Sequence, residues 1–79
     1  MRTRKLAIAF GRVLREIRLQ KGLSQDRLAS RCDFDRTYPS LLERGLRSPT
    51  LAMIFRLSEA LEINASLLVS RTQEEMRRL

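Results

Sequence analysis

The stretch from Leu23 to Arg44, LSQDRLASRCDFDRTYPSLLER, places the strongest constraint on the fold of this chain. Ser24 is a favourable N-cap, because its hydroxyl can accept an N–H group that has no partner in the first turn of a helix. Asp26 then places a negative charge near the positive end of the helix dipole. Asp33 marks a break, since aspartate tolerates a left-handed backbone better than most residues other than glycine. The stretch therefore predicts two short helices joined by a tight turn.

The second of these helices carries a distinctive set of side chains at its start. Asp35 is a further N-cap candidate, and the run Arg36-Thr37-Tyr38 follows it directly. Leu41 and Leu42 supply apolar anchors one turn later. This pattern is typical of a helix-turn-helix, in which the second helix offers its N-terminal side chains to the major groove of DNA.

Pro39 makes the start of this second helix ambiguous. A proline has no N–H group to close a helical bond with the carbonyl of Asp35, and it biases Tyr38 away from helical angles. The helix begins either at Asp35 with a bent first turn, or at Tyr38 with Pro39 at the first position. We favour the start at Asp35, because this residue caps well. On that interpretation, Pro39→Ile restores a backbone bond and raises thermal stability.

The order and spacing of several short motifs make the chain resemble the λ-repressor-like (Cro/repressor) helix-turn-helix family. Within it, the chain is similar to the small controller proteins of restriction–modification systems. The likeness covers roughly residues 10–68, and the matching residues are Phe10 to Arg18, Lys21 to Gln25, Ala29, Asp35 to Tyr38, Ser40, Glu43 to Gly45 and Arg47 to Leu51. The chain departs from the family pattern at three positions. Pro39 replaces a branched apolar residue, Asp33 replaces the glycine of the turn, and Leu46 replaces a polar or basic residue.

We predict that the start of the second helix contacts DNA bases. An arginine such as Arg36 can bond guanine O6 and N7 together, and the methyl group of Thr37 can meet a thymine methyl. Tyr38 and Ser40 complete the predicted base-contacting set. The alternatives are a phosphate-only contact for Arg36 and a structural role for Tyr38, which could also reach a phosphate or a sugar.

Three further residues are predicted to contact the phosphate backbone. The family resemblance implies this contact for Gln25, whose alternative is to cap its own turn. Arg47 follows the second helix closely and is a phosphate candidate by position. Arg44 is a phosphate candidate too, but it and Glu43 could instead pair with other charges.

The remaining helices follow from apolar periodicity. Residues 6–20 form a first helix with Leu6, Phe10, Val13, Leu14 and Ile17 as its core stripe. Residues 51–61 form a fourth helix, and a fifth begins after a cap at Asn64 or Ser66. The predicted fold is all-α, a compact five-helix λ-repressor-like domain over residues 1–79. Its helix-turn-helix spans about residues 24–45, and a C-terminal dimerisation region spans about residues 51–79.

Basic residues lie on the predicted first helix and before it. Arg12, Arg15 and Arg18 recur every three residues, which indicates an ordinary solvated face, with a basic amphipathic helix for membranes as the alternative. Arg2, Arg4 and Lys5 precede the predicted helix and form either a solvated start or an arm that touches phosphates.

The C-terminal half has more apolar side chains than one small core needs. We predict a homodimer interface there, formed by Met53, Phe55, Leu67 and Leu68, with Val69 beside them. The resemblance implies the same, since the family dimerises through its C-terminal helices. A two-fold dimer presents its recognition helices about 34 Å apart, one turn of DNA.

The charge and the cysteine count narrow the functional classes. A net charge of +7 over 79 residues indicates a polyanionic partner, which is DNA, RNA or an acidic membrane surface. The chain has no histidine to activate its single cysteine, and its carboxylates lack metal-ligand spacing. We expect no enzyme activity, no metal, no cofactor, no small-molecule ligand and no membrane span. One cysteine suits a reducing cytoplasm.

The leading hypothesis is a transcriptional regulator that binds double-stranded DNA at a palindromic operator as a homodimer. Its sharpest form is the controller of a restriction–modification operon. The alternatives are a phage-type repressor, an antitoxin-type protein whose main partner is another protein, and a non-specific RNA or nucleoid binder.

Overall fold

A computed structural model describes residues 3–79, and these form five α-helices with no strand among them. The helices are α1 (Thr3–Gln20), α2 (Gln25–Cys32), α3 (Tyr38–Glu43), α4 (Leu51–Leu61) and α5 (Ala65–Arg78). The predicted all-α, five-helix fold is therefore confirmed. The first helix begins at Thr3 rather than at Leu6, so Arg4 and Lys5 lie on the helix and not on an arm before it. Arg2 lies outside the described residues.

Side-chain caps define where α2 and α4 begin. The hydroxyl of Ser24 accepts a hydrogen bond from the backbone N–H of Arg27 at 3.0 Å. The hydroxyl of Thr50 accepts one from the backbone N–H of Met53 at 3.2 Å. Each cap satisfies one N–H group that has no partner within its own helix. These local interactions set the boundaries of both helices close to the predicted positions.

The long helix α1 is the centre of the core. Phe10, Val13, Leu14 and Ile17 are buried along one of its faces, as the periodicity predicts. The other helices contribute further large buried side chains, which are Leu28, Leu42, Leu57, Leu61 and Leu68. α1 packs directly against both α3 and α5, so its position determines where the helix-turn-helix sits relative to the C-terminal helix.

Gly11 allows α1 and α3 to approach closely. A Cβ atom at this position would collide with the backbone carbonyl oxygens of Leu42 and Glu43. The C-terminal end of α3 is therefore held against the middle of α1. This contact matters for function because it positions α3, the predicted recognition helix.

Ion pairs tie α1 to α5 at the surface. Arg12 pairs with Glu75 at 3.3 Å, and Arg71 pairs with Glu16 at 2.6 Å.

Within residues 3–79, none of the helices combines the length and apolar character that crossing a membrane requires.

Candidate nucleic-acid interface

The turn between α2 and α3 is built on Asp33. This residue has a left-handed backbone, with φ of 56° and ψ of 40°, and it ends α2. The N–H of Asp33 donates to the carbonyl of Ser30 at 3.2 Å, and the N–H of Phe34 donates to the carbonyl of Ala29 at 2.9 Å. These bonds satisfy carbonyl groups at the end of α2. Asp33 thus stands where the family usually has a glycine. It adopts the left-handed backbone that aspartate was predicted to tolerate.

A second, tight turn connects Asp35 to Tyr38. The carboxylate of Asp35 accepts hydrogen bonds from the backbone N–H of Thr37 at 2.9 Å and from its hydroxyl at 2.7 Å. These bonds hold the pKa of Asp35 below its ordinary value, because they stabilise the charged form. The carbonyl of Asp35 accepts the N–H of Tyr38 at 2.9 Å. Asp35 therefore caps a turn that comes before the helix.

The favoured start of α3 at Asp35 is wrong, because α3 begins at Tyr38 with Thr37 as its N-cap. Pro39 lies in the first helical turn, where its missing N–H costs no intrahelical bond. Its side chain is buried in the core. Pro39 has no N–H to donate to the carbonyl of Asp35, and this carbonyl accepts the N–H of Tyr38 instead. Arg36 and Thr37 consequently project from the turn in front of the helix, not from its first turn.

Arg36 and Thr37 both lie at the surface. The side chain of Arg36 is 80% exposed, and its guanidinium lies 3.3 Å from the carboxylate of Asp26. Since Asp26 belongs to the first turn of α2, this contact links the start of α2 to the turn before α3. An exposed ion pair of this kind contributes little stability and leaves the arginine free to exchange partners. Both residues are placed where a DNA duplex could reach them.

Tyr38 and Ser40 are less accessible than the other two predicted base contacts. The Tyr38 ring packs edge-on against Phe34, with centroids 5.0 Å apart, and its hydroxyl donates to the sulfur of Met53 at 2.6 Å. Burial raises the pKa of Tyr38, and the charge of nearby Arg47 opposes part of that rise. Ser40 is half-buried. In this conformation Tyr38 supports the structure, which was the alternative interpretation of this residue.

The three predicted phosphate contacts lie outside the turn that carries Arg36 and Thr37. Gln25 is the first residue of α2 and is half-buried, and its side-chain amide donates to the carboxylate of Glu43 at 3.0 Å. Arg44 and Arg47 are exposed after the end of α3. Gln25 and Arg44 therefore both lie at the end of α3, whereas Arg36 lies in the turn before this helix.

The burial of Arg18 contradicts its prediction as part of a solvated face. Its guanidinium donates to both carboxylate oxygens of Glu43, at 2.6 and 3.0 Å, and to the carbonyl of Leu23 at 2.7 Å. Arg12 and Arg15 are exposed, as predicted. The spacing offered one signal for the difference, because Arg18 lies four residues after the buried Leu14 on the apolar side of α1. Glu43 pairs with another charge, which was one of the two alternatives for it.

The exposed apolar side chains of α4 and α5 form the candidate dimer surface. Phe55 is 53% exposed and Leu67 is 40% exposed, whereas Met53 is half-buried beneath Tyr38. The prediction that Leu68 belongs to the dimer interface is wrong, because this side chain is fully buried within the core of one chain. Its neighbour Val69 is exposed instead. Leu68 and Val69 are adjacent on α5, and the rotation of about 100° between them places one in the core and the other at the surface.

Cys32 is buried at the end of α2, and its thiol contacts the carbonyl of Arg56 at 3.7 Å. Burial raises the pKa of this thiol to about 11, which keeps it protonated and unreactive at neutral pH. Across residues 3–79, no group of three or more His, Cys, Asp or Glu side chains is arranged to hold a metal ion.

Comparisons with known proteins agree on the kind of domain. A family model described as Helix-turn-helix matches residues 14–68. Control protein C.BamHI from Bacillus amyloliquefaciens is 44% identical over 62 residues, covering 77% of this chain and 76% of that protein.

Solved structures of restriction–modification controller proteins are similar in fold. That of C.AhdI from Aeromonas hydrophila has a TM-score of 0.76 at 44% identity, covering 78% of this chain and 94% of the other. The controller C.Esp1396I, solved as a tetramer in complex with its natural 35-base-pair operator, has a TM-score of 0.80 at 31% identity. This structural match covers 90% of this chain and 93% of the C.Esp1396I chain.

Proposed function

The chain belongs to the helix-turn-helix family, together with the restriction–modification controller proteins that it resembles, and on this premise we propose how it acts on DNA. It regulates transcription as a homodimer that occupies an operator near a promoter, and its most specific role is the control of a restriction–modification operon. The whole chain, residues 1–79, acts as one DNA-binding domain in the cytoplasm. The family relationship favours this function over an antitoxin-type or phage-type repressor.

The observation that carries the proposal is the position of Arg36. Its guanidinium is exposed in front of α3, and α3 is held against α1 and α2 by the core. A guanidinium placed in this way can donate two parallel hydrogen bonds to a guanine in the major groove. Thr37, beside it, can meet a thymine methyl, while Tyr38 and Ser40 support these contacts from the first turn of α3.

Phosphate contacts by Gln25, Arg44 and Arg47 set the orientation of the domain on the duplex. Such contacts carry no sequence information themselves, but they determine which side chains reach the bases. The net charge of +7 adds a general attraction to the phosphate backbone.

Dimerisation takes place through the exposed apolar surface of α4 and α5, which includes Phe55, Leu67 and Val69. A two-fold dimer reads two half-sites about one helical turn of DNA apart, so its preferred operator is palindromic. Neither half-site alone offers the affinity of the pair, because the second contact is made at high effective concentration.

Selection of bound duplexes from a random pool tests the proposal directly. We expect one motif with two inverted half-sites to be enriched, and we expect binding to it to exceed binding to random duplex by about 10³-fold or more. Size-exclusion chromatography of the free protein with light scattering should report a dimer at micromolar concentration. A pool that shows no enrichment after repeated rounds would contradict sequence-specific DNA binding.

A further inference from the structure

The carboxylate of Glu43 joins three helices at one buried point. Glu43 is the last residue of α3, and only 3% of its side chain is exposed. One oxygen accepts from Arg18 Nε at 2.6 Å, while the other accepts from Arg18 Nη2 and from Gln25 Nε2, both at 3.0 Å. The network therefore links the end of α3 to α1 and to the first residue of α2.

The contact with Glu43 determines how the Gln25 amide is oriented. An ionised carboxylate only accepts hydrogen bonds, so the NH₂ group of the amide must face it. One N–H of this group is used by Glu43, and the second N–H remains for another acceptor. A phosphate oxygen is such an acceptor, and a hydrogen bond to a charged oxygen is stronger than one between neutral groups.

We propose that Glu43 is a positioning residue for DNA binding, which holds the Gln25 amide so that its second N–H is presented to a backbone phosphate. Since Glu43 ends α3, the same contact couples the phosphate-binding position on α2 to the register of the recognition helix. This inference rests on the proposed function, because it assigns a partner to a contact within that DNA interface.

A purely structural role for Glu43 makes a different prediction about affinity. Glu43 is negatively charged, and a negative charge near the interface opposes binding to a polyanion. If Glu43 only neutralised Arg18, removing its charge would leave affinity per folded molecule unchanged or would raise it. If Glu43 positions Gln25, removing its charge lowers the affinity, because the amide loses its fixed orientation.

A double-mutant cycle with Glu43→Gln and Gln25→Ala tests the proposal. Affinity is measured on the selected operator and expressed per folded molecule, with the folded fraction taken from circular dichroism. We expect each single variant to lose about tenfold in affinity, which corresponds to one charge-assisted hydrogen bond. We expect the double variant to lose about tenfold as well, because both changes remove the same phosphate contact.

The matched control is Glu74→Gln, which removes the same charge from an exposed position on α5. This variant should not lose affinity. An additive loss of about a hundredfold in the double variant, or no loss in Glu43→Gln, would overturn the proposal. Failure of the parent chain to select any operator would instead count against the proposed function.

A measurement on the parent chain covers the case in which Glu43→Gln does not fold. Nuclear magnetic resonance resolves the two side-chain amide protons of Gln25. We expect one to exchange slowly with solvent and keep its chemical shift when operator is added, while the other shifts. If both protons exchange rapidly in the free protein, or neither shifts on adding operator, Glu43 does not position this contact.

Discussion

At the scale of single residues, Arg36 and Arg47 carry the same charge, but we expect their different positions to give them different contacts with DNA. Arg36 lies in front of α3 beside the start of α2, whereas Arg47 lies in the loop after α3 and close to Tyr38. Only the first of these positions leads into the major groove when a recognition helix is docked by its N-terminal end. We expect the second position to meet the phosphate backbone, where a guanidinium adds affinity without sequence discrimination.

Substitution of the two arginines should therefore have different signatures. We expect Arg36→Ala to cost about 1–3 kcal/mol on the selected operator and to relax specificity at one base pair in each half-site. We expect Arg47→Ala to weaken matched and mismatched duplexes by the same factor. Fluorescence anisotropy on the operator and on single-base variants measures both effects. Equal responses of the two variants to every mismatch would show that the assignment of base and phosphate contacts is wrong.

At the scale of structural elements, α3 is a short helix whose start is set by Pro39. The turn at Asp35–Tyr38 satisfies the carbonyl of Asp35, and the first α-helical bond runs from the N–H of Leu41 to the carbonyl of Thr37 at 3.2 Å. Pro39 needs no N–H at this position and is fully buried against the core. The turn that carries Arg36 therefore precedes a helix whose first turn contains Pro39.

This geometry reverses the stability change that the sequence predicts for Pro39→Ile. The substitution restores no helical bond, because the Asp35 carbonyl already has a partner, and the larger side chain must fit a closely packed site. We expect the variant to unfold at a lower temperature, with a loss of about 1–3 kcal/mol from overpacking and a smaller loss from the freer unfolded chain. Thermal and urea unfolding followed by circular dichroism measure the change. A higher melting temperature would mean that α3 accommodates a start at Asp35 after all.

At the scale of the whole molecule, we expect the exposed apolar surface of α4 and α5 to mediate dimerisation and the net charge of +7 to favour DNA binding. Phe55 is 53% exposed on this surface, and Leu19 is 53% exposed at the far end of α1. The two residues allow a matched test, because both are surface apolar side chains that a charge can replace without entering the core.

We expect Phe55→Glu to shift the protein from dimer to monomer and to reduce operator affinity, because a charge must then be desolvated at the interface. Leu19→Glu introduces the same charge outside that surface and should remain dimeric. Light scattering over a range of concentrations measures the oligomeric state. If both variants remain dimers, the interface lies elsewhere on the molecule.

The charge of the assembled dimer should also make binding strongly dependent on salt. If the two chains together neutralise about six to ten phosphates, affinity should fall ~10³–10⁵-fold between about 50 and 200 mM salt. The slope of log affinity against log salt concentration gives the number of phosphate contacts. A flat response would contradict a binding mode based on phosphate contacts.

The sequence by itself determined the features that depend on near neighbours. The cap at Ser24 and the left-handed turn at Asp33 are set by side chains and backbone within a few residues. Helical periodicity likewise identified the apolar face of α1, since that face follows from spacing alone. These local signals were sufficient to predict five helices and to locate the helix-turn-helix.

Only the tertiary structure decided which side chains are partners across the fold. Arg18 is buried because Glu43, 25 residues away in the chain, comes to face it, and no local spacing encodes that approach. Leu68 is a core residue rather than an interface residue because α1 packs on α5, and Tyr38 packs inward because its hydroxyl contacts Met53 on α4. Periodicity shows which face of a helix is apolar, but the neighbour that covers that face depends on packing in three dimensions.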